Sequence, residues 1–100
     1  MVFEWDEAKR SDGIKKHRVD FVYAAQIFLG PTTSVIDDRV DYGEARTISV
    51  GMVGNEVFVV VHTLRGDAIR LISAWKGGRN DQRKYQDCLA RGNPSNGGEG

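Results

Sequence analysis

Cysteine is almost missing from this 100-residue chain: the single thiol, Cys88, excludes an internal disulfide and any zinc site built from several thiolates. No metal-ligand cluster is visible, and neither a metal nor another cofactor is expected. Long apolar runs are missing too. A stretch such as Val57 to Val61 falls far short of the roughly 20 residues that span a bilayer, and the opening residues carry acids in place of a basic, apolar leader. A cytoplasmic location with no membrane partner is the expectation. Net charge is the third absence, since 14 basic side chains balance 14 acidic ones. Such neutrality argues against a general nucleic-acid coat, which must neutralise many phosphates at once.

What the chain does hold is an uneven placement of that charge. Residues 70 to 91 carry Arg70, Lys76, Arg79, Arg83, Lys84 and Arg91 against Asp81 and Asp87, while residues 32 to 69 carry three basic and six acidic side chains. One basic region therefore sits on a neutral or acidic body, a pattern that fits phosphate contact. A length of 100 residues implies one small domain with a radius of gyration near ~13 Å. That domain is expected over residues 1–91. The ending RGNPSNGGEG has almost no apolar content and reads as a disordered tail over 92–100.

Period and punctuation predict the elements. Phe3 and Trp5 alternate with Val2 and Glu4 as a short edge strand, and Asp6 can cap a helix that ends at Gly13 or breaks before Lys15. Asp20 is a second cap, followed by Phe21, Ala24, Ala25 and Phe28 at helical spacing and by the stop Gly30-Pro31. The period then becomes two. Strands are predicted over Thr32 to Ile36, Arg46 to Val53 (Ile48, Val50 and Met52 on one face, Thr47 and Ser49 on the other), Val57 to Thr63 and Ala68 to Trp75. GNE at 54–56 and RGD at 65–67 read as tight turns, the latter as turn chemistry and not an adhesion motif. Gly77 and Gly78 release the chain into a helix over 79–90, with Tyr85, Cys88 and Leu89 on its sheet-facing stripe.

The blocks FEWDEAK, KKHRVDF, GEARTISVG, VVVHTLRGD, IRLISAWK and RKY, in that order, resemble the BrnT family of toxins from bacterial type II toxin-antitoxin modules. The likeness spans about residues 2 to 87. It implies an α+β fold similar to RelE-type ribonucleases, with a small antiparallel sheet flanked by two N-terminal helices and one C-terminal helix. It further implies RNA cleavage that slows translation, and neutralisation by a BrnA-like antitoxin whose own ribbon-helix-helix domain binds DNA, so that DNA is met only through the antitoxin. The chain departs from the family's usual pattern where Arg18 stands in a glycine position, Trp75 replaces an arginine, Gly77-Gly78 replaces Ala-Thr, and Asp81 replaces a glutamate. The last two changes remove the usual capping box.

Metal-free RNA cleavage uses the ribose 2′-hydroxyl as nucleophile and needs a proton acceptor, cations for the charged phosphorane and a proton for the leaving oxygen. Arg70 and Lys76, which also match family positions, are the candidate catalytic cations. With Arg79, they are expected to converge where the last strand meets the helix. Glu44 is the candidate base, or else half of a structural ion pair with Arg46 or Arg65. Arg79, Arg83, Lys84, His17, Arg46 and Arg65 are candidate RNA contacts, although Arg83 and Lys84 equally suit a merely solvated helix face. Tyr85 can stack a base, but its spacing fits anchoring of the helix. His62, inside VVVHT, reads as a half-buried structural residue. Two rivals stay open: a relative that only binds its antitoxin, and a small RNA-binding domain.

Overall fold

The computed structural model describes residues 1–92, and the predicted tail lies outside the described residues apart from Gly92. The strands are β1 (Val2–Trp5), β2 (Thr33–Ile36), β3 (Thr47–Val53), β4 (Glu56–Arg65) and β5 (Ala68–Lys76). The helices are α1 (Glu7–His17), α2 (Phe21–Ala24) and α3 (Arg79–Ala90), and α2 tightens directly into a 3-10 turn, Ala25–Leu29. The radius of gyration is 13.0 Å.

Both N-terminal helices begin at the aspartates that the sequence marks. Asp6 Oδ1 accepts from the Ala8 N–H at 2.8 Å, and Asp20 Oδ1 accepts from the Val22 N–H at 3.0 Å. The second cap is also tied to α1: the Arg10 guanidinium donates to both Asp20 oxygens at 2.8 Å, which holds that carboxyl below the usual carboxylate range. Helix α1 does not stop at Gly13. Gly13 is buried against Phe21, and a Cβ there would stand 3.4 Å from that ring, at ordinary van der Waals contact, so α1 continues through the glycine while packed over that side chain. This packing outweighs the ~1 kcal/mol that glycine costs inside a helix. The helix ends instead at Arg18, which adopts the left-handed conformation (φ 60°) while its N–H donates to the Ile14 carbonyl at 2.9 Å. Glycine suits that position, and a side-chain-bearing residue is strained there by roughly 1–2 kcal/mol.

The strand order is β1-β5-β4-β3-β2. Turns at Gly54-Asn55 and Gly66-Asp67, each opening on a glycine of positive φ, close the β3–β4 and β4–β5 hairpins. The expected antiparallel arrangement holds for β2 to β5, but β1 runs parallel to β5, so the sheet is mixed. No hairpin joins β1 to β5, and the chain between them leaves the strand direction free.

Strand β4 is central and buried on both faces. Phe58 and Val60 meet Phe21, Ala24 and Ile27 in the main core, and residues 57, 59 and 61 face the other way. In β3 the expected alternation holds, and the fully buried face is that of Ser49 and Gly51, while Ile48, Val50 and Met52 lie half-buried on the other. Two contacts with other elements account for this. Ser49 Oγ lies 2.7 Å from both Ser34 Oγ and His62 Nε2, and Gly51 admits Ile27 at a distance no Cβ would allow.

Helix α3 covers part of the opposite face through Tyr85, which is 2% exposed and donates its hydroxyl hydrogen to the Pro31 carbonyl at 2.7 Å. Its start keeps half of a capping box: the Gly78 N–H donates to Asp81 Oδ2 at 3.0 Å. A Cβ at Gly78 would meet no atom within 4 Å, and its backbone is extended. Gly78→Ser should therefore complete the box and stabilise the fold by about 0.5–1 kcal/mol, a Tm rise of roughly 3–6 °C measurable by thermal denaturation.

Candidate functional site

The residues singled out from the sequence fall into two groups, one near each end of β5. At its start, Glu4 of β1 stands in register with Arg70 and accepts from its Nη1 at 3.0 Å; Arg65 Nη1 approaches the same oxygen at 3.5 Å. Two guanidinium groups thus share one carboxylate. Arg70 is also opposite Thr63 of β4, whose hydroxyl donates to the Ala45 carbonyl and brings the GEAR segment to this end of the sheet.

The loop carrying GEAR is closed by its own polar side chains. The Arg39 guanidinium holds the Asp37 carboxyl at 2.7 and 2.8 Å and keeps its pKa at about 2, with Tyr42 Oη donating to it at 3.3 Å. The Asp37 N–H donates to the Arg46 carbonyl at 2.8 Å, the Arg46 guanidinium lies 4.0 Å from the centre of the Tyr42 ring, and its Nε meets Glu44 at 3.1 Å. Glu44 is thus paired with Arg46, one of the two partners the sequence offers, while Arg65 turns to Glu4.

The far end of β5 is different. Lys76 Nζ meets Glu56 at 2.7 Å, with both side chains well exposed. The His17 and Trp75 rings pack with centroids 6.1 Å apart, tilted by 46°. Depressions of about 160, 480 and 410 Å³ all include His17 in their walls. Lys9, Lys16 and Arg18 line the first and third of these and form no ion pair among the described residues. Arg79, Arg83 and Lys84 on α3 likewise form none among the described residues.

The expected convergence of Arg70 with Lys76 is not what the strand allows. Six residues of extended chain separate them by roughly 20 Å. A bulge at Ile72 lies between, and Arg70 pairs with Thr63 whereas Lys76 pairs with Phe58, five residues away in β4 and so on the opposite face. Arg79 follows Lys76 through the Gly77-Gly78 turn and belongs to the second group. Tyr85 is buried and hydrogen-bonded, so its place is in the packing of α3 and not against a base. Three participants carry no signal of their role in the sequence. Glu4 gives no signal without the β1–β5 register, and Asp37 and Tyr42 gain their roles only when the loop closes.

His62 is structural. Its Nε2 bonds Ser49, its ring meets Phe28 edge-on at 5.0 Å, and burial pushes its pKa down to about 4. The folded state thus keeps His62 neutral where the unfolded chain, with a value near 6.5, already binds a proton. Stability is therefore full above about pH 6.5 and falls as pH drops towards 4. Unattenuated, this displacement amounts to roughly 3 kcal/mol; solvent access to the ring reduces it to about 1–2 kcal/mol. Thermal melts at pH 7.5 and 4.5 should show that loss, and His62→Gln, which keeps a partner for Ser49, should show little of it.

The molecule is thus a small α+β domain whose cations gather at both ends of one strand, beside an ion-paired loop and an aromatic pair. Residues 5–81 match the family described as "Ribonuclease toxin, BrnT, of type II toxin-antitoxin system", and the chain belongs to that family. A search of curated proteins finds no match.

Proposed function

We propose that the protein is an endoribonuclease toxin of RelE-like design that cleaves messenger RNA without a metal ion, arrests translation, and is neutralised in the cytoplasm by a BrnA-like ribbon-helix-helix antitoxin. Family membership across residues 5–81 is the observation that carries this reading. In the reaction, the 2′-oxygen attacks the adjacent phosphorus as its proton passes to a base. The bond to the 5′-oxygen breaks, that oxygen takes up a proton, and a 2′,3′-cyclic phosphate remains. Arg70, assisted by Arg65, is suited to stabilise the phosphorane, and Glu44, at the same end of the sheet, to accept the proton. Lys76, Arg79, Arg83, Lys84 and His17 then hold the RNA strand beyond the scissile bond, and Arg46 orients Glu44.

Expression of the chain alone should arrest bacterial growth, co-expression with its antitoxin should restore it, and the purified protein should cut single-stranded RNA in the presence of a chelator. Normal growth with folded, soluble protein and uncut RNA would favour the second reading, an antitoxin-binding module without catalysis. Trp75 in an arginine position is the observation on that side.

A further inference from the structure

We propose that the depression between the C-terminal end of α1 and the end of β5 is a nucleobase subsite for single-stranded RNA, in which an unpaired base stacks on Trp75 beside His17 while Lys16, Arg18 and Lys76 meet the flanking phosphates. The inference rests on the ribonuclease reading and adds to it a place and mode of substrate binding.

Four observations support it. A depression of about 480 Å³ is walled by His17, Trp75 and Lys76, and the neighbouring depressions open on the same imidazole. The two rings meet at a tilt of 46° with centroids 6.1 Å apart, so the imidazole stands beside the indole as a second wall against which a base stacked on Trp75 can lie. The surrounding charge is free to act: Lys9, Lys16 and Arg18 make no ion pair among the described residues, Lys76 is held by an exposed bridge that yields readily, and nearby Asp20 is already engaged by Arg10. Asp12 is the acid on this rim without an ion pair among the described residues. Finally, Arg18 is the single non-glycine residue of positive φ among the described residues, and in that strained position it lines the third depression together with His17 and Lys76.

Flat aromatic surface flanked by cations is what an unstacked base and its phosphates recognise, whereas a base within a duplex cannot reach such a hollow. An acidic protein segment would use the cations but not the flat ring.

The test uses a short 2′-O-methyl oligoribonucleotide, which lacks the attacking hydroxyl, and an abasic oligomer of equal length, with Trp75 fluorescence read in a Trp5→Phe background. The oligoribonucleotide should quench the indole and bind roughly 5- to 150-fold more tightly than the abasic oligomer. Trp75→Leu, which keeps apolar bulk without a flat ring, should lose that margin with its salt dependence unchanged, and Trp75→Phe should keep most of it; affinities of both are read by anisotropy of labelled oligomer. Arg18→Gly should flatten the salt dependence while raising Tm.

Equal binding of the two oligomers, or Trp75→Leu binding like the parent, would overturn the subsite. So would a Trp75→Leu protein that binds RNA normally but no longer binds the antitoxin, which would mark a protein-docking surface. Cleavage of unmodified RNA, measured alongside, keeps the two readings apart. Cleavage without base-dependent binding removes the subsite alone, and base-dependent binding without cleavage removes the ribonuclease reading alone.

Discussion

Gly51→Ala should lower the melting temperature by roughly 10–20 °C, although it adds a single methyl group. A Cβ at this position would stand 2.7 Å from Ile27 Cβ, 3.2 Å from Thr32 Cγ2 and 3.3 Å from Ile27 Cγ2. The first distance is well inside the van der Waals separation of two carbons that are not bonded to each other, so backbone must move. Ile27 is fully buried within the main core and sits in the 3-10 turn that follows α2, which leaves little room to yield. Overpacking of this kind costs about 1–3 kcal/mol, from a total of roughly 5–15 kcal/mol for a domain, and each kcal/mol moves Tm by about 4–8 °C at this size. Gly30→Ala is the matched control. Its added methyl would meet no atom within 4 Å and its φ is −128°, so its Tm should stay the same or rise slightly. Similar losses at both positions would show that glycine's backbone freedom, and not contact with Ile27, is what Gly51 contributes.

This contact also marks where the sequence stops being legible. Alternation separates Ile48, Val50 and Met52 from Ser49 without showing which face lies deeper; the closest approach of helix to sheet selects the smallest residue, and a serine can be buried beside it because Ser34 and His62 supply polar partners. Those partners come from other elements and leave no trace in the local pattern. Features set by neighbours in the chain were readable: the aspartate caps, the two glycine-led turns, the bounds of α3, and the anchoring role of Tyr85. Gly13 reads as an end or a break in the sequence because Phe21, which packs against it, lies in the next helix. The same division runs through the site. The Glu44–Arg46 pair spans two residues and was visible as one of the possibilities. The Arg70–Glu4 pair spans 66 residues and depends on a parallel strand pairing that no hairpin announces. Arg70 and Lys76 looked convergent because they share a strand, but a bulge and an odd register offset send them to opposite faces.

That separation sharpens the catalytic prediction. If Arg70 stabilises the phosphorane, Arg70→Ala should reduce kcat by roughly a hundred- to thousandfold, the usual loss for one transition-state donor of about 3–4 kcal/mol. Lys76→Ala, some 20 Å along the strand, should raise KM and leave kcat nearly unchanged, because a contact made equally in ground and transition states affects binding alone. Arg70 is half-buried and bonded to Glu4, so its removal also disturbs an ion pair, and activity could fall for that reason only. Glu4→Gln separates the causes: it weakens the same pair but leaves both guanidinium groups in place. A chemical role predicts that Glu4→Gln retains most of kcat, whereas a structural role predicts that the two variants lose activity alike, with matching drops in Tm. Arg70→Lys should recover only part of the rate, since an ammonium keeps the charge but not the two-pronged contact with a phosphate. Arg83→Ala on the exposed face of α3 supplies the baseline, a modest loss of affinity with a shallower salt dependence. If Arg70→Ala behaves like Arg83→Ala, with a mild loss that high salt erases, the start of β5 is an RNA-holding surface and the chemistry lies elsewhere.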